Sequence, residues 1–343
     1  MADPAELFDG LRPVAEVAAA DAAALDRALA ASNEPFVVRG LVTNWPLVAA
    51  GRVGAAETRG YLARFARDTD FTYAEGRRGA GERIFYDATM AMNHQSRRAR
   101  VAEIFAAMAA DEGAPDAPLR YIASTDVPRF FPDLAEANPA PLGARDGMAA
   151  TIWIGTATRV AAHCDAPDNL VCTAVGHRRF TLFPPDQFAN LYPGPLDNTP
   201  GGRAISMVDF HAPDFARFPK FREALHHART AVLAPGDALR IPSQWWHHVE
   251  ALDRFNVMIN YWWPTRPSWL ADPHDALLMA ILALRDLSAA ERAHWRHVLD
   301  HYVFDPGEAV TAHIPEGARG ILDPLTPETA GQLRAYLLRQ LSR

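Results

Sequence analysis

This chain has almost no cysteine, no basic stretch and no long apolar run, and each shortage removes a class of protein. Two cysteines, Cys164 and Cys172, in 343 residues are too few for a disulfide framework, and both are expected to be reduced. With 34 Lys and Arg against 41 Asp and Glu the formal charge is −7. No segment gathers enough Lys and Arg to override that balance, so nucleic acid is not expected as a partner. No apolar run approaches the roughly 20 residues that span a bilayer, and Met1-Ala2-Asp3-Pro4-Ala5-Glu6 is acidic where a signal peptide would be basic. No membrane association and a cytoplasmic location are therefore expected. What is present is an ordinary globular composition, 49% hydrophobic, in a chain long enough for one large domain with appendages or for two smaller ones.

The pattern changes twice along the chain. Val14, Val17, Ala18, Leu25 and Leu29 are spaced for an amphipathic helix from Val14 to Ala31, ended by Asn33-Glu34-Pro35. Phe36-Val37-Val38-Arg39-Gly40 and Arg83-Ile84-Phe85-Tyr86 are aromatic and β-branched as strands are, and Val101 to Ala109 reads as a helix. From Thr151 to Trp263 come eight short apolar runs, broken by Gly, Pro and Asp. They are Thr151 to Gly155, Val160 to Asp165, Leu170 to Val175, Arg179 to Phe183, Ala231 to Leu233, Ala238 to Ile241, Trp245 to Ala251 and Asn256 to Trp262. Eight is the jelly-roll number. Pro235-Gly236-Asp237 supplies Pro and Gly at the centre of a type II turn. The connection from Pro184 to Thr230 is long for a compact domain, and long insertions tend to be functional. After Trp263 the chain turns helical: Trp269 to Leu287 is apolar, Ser288-Ala289-Ala290-Glu291 is a capping box, and a last helix starts at Thr326-Pro327. That helix carries Leu333, Tyr336, Leu337 and Leu341 on one stripe, which calls for a fold-back onto the core or a second subunit.

Chemistry concentrates at His163-Cys164-Asp165. Side chains two apart on a strand share a face, so His163 and Asp165 offer an imidazole and a carboxylate to one point. His247, on a later strand of the same expected sandwich, completes a facial triad, and its neighbour His248 points the other way. Two imidazoles and one carboxylate suit a six-coordinate Fe(II) with three positions open for a co-substrate and O2, whereas zinc with three protein ligands keeps a single open position. His-x-Asp alone is weak evidence, and rivals exist. His248-Val249-Glu250 is itself a His-x-Glu, and His294, His297 and His301 could share a helix face; neither has a completing partner in a matching context. His226 and His227 read as a solvated helix face.

The run from Trp153-Ile154-Gly155 through His163-Cys164-Asp165, Asn169, Arg179-Phe180-Thr181-Leu182-Phe183-Pro184-Pro185, Val208-Asp209-Phe210, Ile241-Pro242, Trp245-Trp246-His247-His248-Val249-Glu250 and Asn260-Tyr261-Trp262 resembles the cupin-like JmjC-domain oxygenases. Within them it is most similar to the asparaginyl hydroxylases of hypoxia-inducible factor. The resemblance covers about a third of the chain, with echoes at Phe85-Tyr86-Asp87 and Arg120-Tyr121. It implies a mainly β architecture with helical flanks: a double-stranded β-helix (jelly-roll, cupin) core over residues 120–264, an N-terminal α/β extension packing on it over 1–119, and C-terminal helices over 265–343 that favour a homodimer. It also implies Fe(II), 2-oxoglutarate and O2, and hydroxylation of a protein or peptide side chain with succinate and CO2 as co-products. Carried over by position, the iron ligands are His163, Asp165 and His247. The basic residue for the far carboxylate of 2-oxoglutarate falls on Arg178, with Arg179, Arg240 and Lys220 as alternatives, and Tyr121, Asn169 and Asn260 line the same pocket.

Departures from the pattern are few. Arg178 stands where the similar hydroxylases carry Lys, Val160 stands where they carry a Thr hydroxyl, and Ile205 and Met207 replace polar residues, one of which contacts the target amide. Trp153, Trp245, Trp246, Trp262 and Trp263 are expected to be mostly core, and Tyr192 with Pro193-Gly194-Pro195 to edge a substrate groove. The same chemistry on a small molecule or nucleoside, and a catalytically silent metal-binding cupin acting as a sensor, are the competing readings. No aromatic or acidic cage for N-methyl-lysine is evident.

Overall fold

A computed structural model describes residues 7–8 and 10–342; the acidic stretch 1–6 lies outside them. The chain divides into two compact units, Met1–Thr265 and Arg266–Arg343.

In the first unit the strands in chain order are β1 (Arg12–Pro13), β2 (Ala15–Glu16), β3 (Phe36–Val38), β4 (Asp70–Gly76), β5 (Arg83–Ile84), β6 (His94–Arg100), β7 (Arg120–Asp126), β8 (Ala149–Gly155), β9 (Thr158–Cys164), β10 (Asp168–Val175), β11 (Arg178–Phe183), β12 (Arg229–Leu233), β13 (Ala238–Ile241), β14 (Trp246–Ala251) and β15 (Asn256–Trp263). They form a nine-stranded sheet, β2-β3-β13-β10-β15-β8-β7-β4-β6, and a six-stranded sheet, β1-β12-β11-β14-β9-β5. All eight expected strands between Thr151 and Trp263 are present, four in each sheet, and they alternate between the sheets except at β11 and β12, which are neighbours in the six-stranded one, as in a jelly roll. Residues 7–119 do more than pack on this core, because β2, β3, β4 and β6 extend one sheet and β1 and β5 the other. Phe180, Leu182, Leu233, Leu239, Ile241 and Met258 point inward from both sheets and fill the space between them. A larger apolar cluster, with Leu25, Trp45, Leu62, Phe71 and Phe131, lies where the helices 22–31, 46–53 and 55–65 cover the nine-stranded sheet.

Two glycines are required by geometry. Gly236 has φ 105° and closes the turn before β13, where the Asp237 N–H donates to the Ala234 carbonyl at 3.0 Å; a side chain there would be strained. A Cβ on Gly155 would stand 2.7 Å from Cδ2 of Tyr121, so the absent side chain lets Tyr121 lie against β8.

The expected helix from Val14 to Ala31 is half wrong. Only Ala22–Ala31 is helical, capped by the Asp21 carboxylate accepting from the Ala24 N–H at 2.7 Å. The Val14 and Val17 amides instead donate to the carbonyls of Thr230 (2.9 Å) and Val37 (2.8 Å). Open sheet edges took a segment whose spacing suits either structure, a case of tertiary context overriding local pattern.

The second unit holds the helices 273–284, 289–299 and 327–341. The capping box at Ser288 and Glu291 forms as expected, and Thr326 caps the last helix. The stripe on that helix is open: Tyr336, Leu337 and Leu341 are exposed, as are Leu282 and Phe304 elsewhere in the unit. Among the described residues of this unit only Val310 and Ala330 are buried hydrophobics. No helix among the described residues is long and apolar enough to cross a membrane.

Candidate metal centre and co-substrate pocket

Strands β9 and β14 run antiparallel side by side, with His163 directly opposite His247. Their imidazoles lie with centroids 4.3 Å apart. Asp165 follows the end of β9 and turns its carboxylate back, with Oδ2 3.5 Å from Nε2 of His247. One ligand atom from each of the three lies within 4.8 Å of the others, the one group of this kind among the described residues.

Both imidazoles are aimed by the backbone. Nδ1 of His163 is 3.0 Å from the Ala161 carbonyl, and Nδ1 of His247 is 3.0 Å from the Trp245 carbonyl. A carbonyl only accepts, so each Nδ1 carries the proton and each Nε2 keeps its lone pair free. Burial, with His247 close by, holds the His163 pKa below its usual value. Burial would raise Asp165, but the neighbouring His247, His163 and Arg203 outweigh it and bring the carboxyl down to about 2. Two imidazole nitrogens and an ionised carboxylate are a donor set that suits a divalent iron.

The triad opens into a cavity of about 230 Å³ between the sheets. Tyr121, Asn169 and Asn260, named from the sequence, all line it, together with Trp153, Val160, Phe180, Ile241, Met258 and Trp262. The Asn260 amide is held fixed: Oδ1 accepts from Trp153 Nε1 at 2.6 Å and Thr151 Oγ1 at 2.5 Å, and Nδ2 donates to Asn169 Oδ1 at 3.2 Å. Arg178 is 1% exposed and does not itself line the cavity; it bonds the hydroxyl of Tyr121, which does, while among the described residues its Nε and Nη2 have no hydrogen-bond partner. Burial lowers the guanidinium pKa and raises the Tyr121 phenol to about 12, the two groups partly offsetting this for each other. A buried cation with two orphaned donors calls for an anion. The Trp262 Nε1–H on the cavity wall is also unpartnered.

The alternative anchors are paired or point elsewhere. Arg179 pairs with Glu250 at 3.4 Å; Arg240 reaches Asp168 at 3.1 Å through Nη2, and although its Nε and Nη1 also lack a partner, its neighbour Ile241 faces the cavity and Arg240 does not line it. Lys220 does not line the cavity; its backbone N–H donates to the Tyr192 hydroxyl at 2.9 Å. The rival His248 and Glu250 do sit together, on the opposite face of β14, where Glu250 accepts from His211 at 2.5 Å. Among the described residues His294, His297 and His301 belong to no cluster that could hold a metal ion. His226 and His227 are exposed around Glu223, and both cysteines are free.

The expected groove edge at Tyr192 is a correction. Tyr192 packs on Phe218 with ring centroids 5.0 Å apart and does not line the cavity. The mouth is made instead by exposed or half-buried lining residues, Pro200, Gly201 and Arg203 of the long insertion with His94 and Ser124, while Ile205 and Ile84 are buried in the wall. Arg203 is close enough for its charge to act on Asp165 and Cys164. Ser124, at φ 43°, sits in a bulge of β7. Ile205 was marked by the resemblance as replacing a polar residue; for Pro200, Gly201 and Arg203 the insertion's length was the one sequence signal, and for His94 and Ser124 there was none. Trp153 and Trp262, expected as core, are cavity wall, whereas Trp245 and Trp246 are buried.

A jelly roll that closes two imidazoles and a carboxylate over an internal cavity is a cupin of the JmjC type. The chain belongs to the cupin-like domain family, whose profile matches residues 22–268. Human HSPB1-associated protein 1 is 38% identical over 146 residues, 41% of this chain and 29% of that protein. Lysine-specific demethylase 8 of Xenopus tropicalis is 31% identical over 42% of this chain and 32% of its own length, and lysine-specific demethylase JMJ31 of Arabidopsis thaliana 30% identical over 37% and 23%. The matches thus span a third or less of these relatives.

Proposed function

We propose that this protein is an Fe(II)- and 2-oxoglutarate-dependent dioxygenase that hydroxylates a protein or peptide side chain. The observation that carries the reading is the pairing of the converged His163, Asp165 and His247 donors with the orphaned Arg178 guanidinium in one barrel. The residues fit both groups: the triad would hold the iron, and Arg178 with Tyr121 would hold the far carboxylate of 2-oxoglutarate, whose buried charge needs a compensating partner. Bound together, the two supply oxidative decarboxylation to succinate and CO2 coupled to insertion of one oxygen atom into a C–H bond. The chain's own part is to orient and to exclude water. The carbonyls of Ala161 and Trp245 fix both imidazoles, Asn169 and the clamped Asn260 shape the pocket, and the apolar walls at Val160, Phe180, Ile241 and Met258 keep the site dry. A protein target is supported by the relatives' names, one an HSPB1-associated protein and others lysine-specific demethylases.

Anaerobic addition of Fe(II) and 2-oxoglutarate tests the reading through the visible metal-to-ligand charge-transfer band. Wild type should give the band and His247→Ala should not; a folded, iron-loaded wild type without it would rule the cofactor pair out. The open apolar stripe of the last helix supports a homodimer through the C-terminal helices. Light scattering should give twice the chain mass, and Leu337→Glu should return it to that of one chain.

A further inference from the structure

Strand β6 ends the nine-stranded sheet and pairs, among the described residues, with β4 alone. In an antiparallel pair every second residue turns its N–H and C=O away from the partner strand. Two observations fix which ones. Gly76, opposite His94, donates its N–H to Leu119 of the segment leading into β7 at 2.9 Å, so it faces away from β6. At the other end the Arg100 N–H donates to Glu103 Oε2 at 3.0 Å and not to β4. His94, Ser96 and Arg98 therefore direct their backbone groups outward, along an edge where residues 95–98 are exposed. His94 at the start of this edge also lines the cavity mouth. The strand, His94-Gln95-Ser96-Arg97-Arg98-Ala99-Arg100, carries three arginines and no carboxylate. The acids these arginines meet, Asp68, Asp70 and Glu75, lie on or just before β4, one rank further in.

Resting on the dioxygenase reading, we infer that β6 is the docking edge for the substrate: an extended, acidic peptide segment adds to it as a further strand, and its chain leads past His94 into the cavity. Main-chain pairing of this kind gives affinity with little demand on sequence. Three outward residues offer up to six backbone hydrogen bonds, and the arginine rank selects negative charge. The competing explanation is that the arginines only protect an open edge against unwanted pairing.

The test uses the full chain and two synthetic pools of random-sequence peptides, one rich in Asp and Glu, the other in Lys and Arg, read by gain of one oxygen atom in mass. Ser96→Pro removes one outward N–H without touching the pairing to β4, and Ser96→Ala keeps it. Peptide-independent turnover of 2-oxoglutarate is the control, since Ser96 lies outside the cavity lining. The expected result is hydroxylation of the acidic pool by wild type and Ser96→Ala, reduced about threefold to tenfold in Ser96→Pro at equal control turnover. Equal hydroxylation by Ser96→Pro, or preference for the basic pool, overturns the inference and leaves edge protection. If neither pool is modified while 2-oxoglutarate is turned over, peptide docking fails and the oxygenase reading stands. If nothing is turned over, the oxygenase reading fails and the docking inference with it.

Discussion

The two faces of β14 carry the same residue types and do opposite things. Inward, His247 meets His163 and Asp165, and further along the strand the buried Arg178 stands opposite Ala251; the donors there have unfilled valence: free Nε2 lone pairs and two orphaned guanidinium nitrogens. Outward, three residues on, Glu250 is paired with His211 at 2.5 Å and with Arg179 at 3.4 Å, and His248 lies 3.9 Å from it. The same outer surface ties down the insertion that makes the cavity mouth, through Arg83 to Asp209 at 3.1 Å and the Arg83 guanidinium to the Val208 carbonyl at 3.1 Å. A histidine beside a carboxylate is thus no sign of function in itself. What separates the faces is that the outer carboxylate is paired by His211 and Arg179, although His248 Nδ1 there has no hydrogen-bond partner, whereas the inner donors converge on a cavity.

If that distinction is right, inner-face changes should harm turnover and spare the fold. Asp165→Ala is the strongest case: turnover should fall below detection while the melting temperature of the metal-free protein stays close to wild type, since a ligand and not the sandwich is removed. Full activity in that variant would end the assignment, and chelation of wild type should reproduce the loss reversibly. Arg178→Met should come next, raising the 2-oxoglutarate concentration for half-maximal rate about a hundredfold. Its stability effect is the sharper check. A buried guanidinium with two unpaired nitrogens is unfavourable in the free protein, so an apolar side chain of similar length should leave urea stability unchanged or raise it. A clear loss of stability would mean that Arg178 is a structural residue.

The sequence made the inner face readable because its constraints are local. His-x-Asp on a strand needs only period-2 geometry, and the eight apolar runs with their Gly and Pro punctuation place it in a jelly roll. Arg178 could be named from its position and set apart from Arg179 by strand alternation, and its bond to Tyr121 accords with that choice. The outer face was hidden for a different reason. Glu250 is joined to His211 across 39 residues and Arg83 to Asp209 across 126, and no spacing rule reports such pairings. The same holds for Val14 and Val17, whose partners are at Thr230 and Val37, and for Tyr192, whose neighbour Phe218 is set by the path of the insertion.

The outer face should fail in the reverse way. Glu250→Gln keeps the shape but loses the charge facing His211, Arg179 and His248, and should lower stability by about 2 kcal/mol in urea unfolding while the rate per folded molecule is retained. A smaller effect should follow in acid. Burial works to raise the Glu250 carboxyl, but the His211 hydrogen bond and the His248 and Arg179 charges hold it below its ordinary 4.5. A carboxyl depressed in the folded state contributes fully above its unfolded value and loses that contribution as pH falls through the folded one. The advantage of wild type over Glu250→Gln should therefore be flat above pH 4.5 and narrow on further acidification. An advantage that persists unchanged into acid would show that the glutamate is held by shape and not by charge, and the two faces of β14 would then differ less than their geometry indicates.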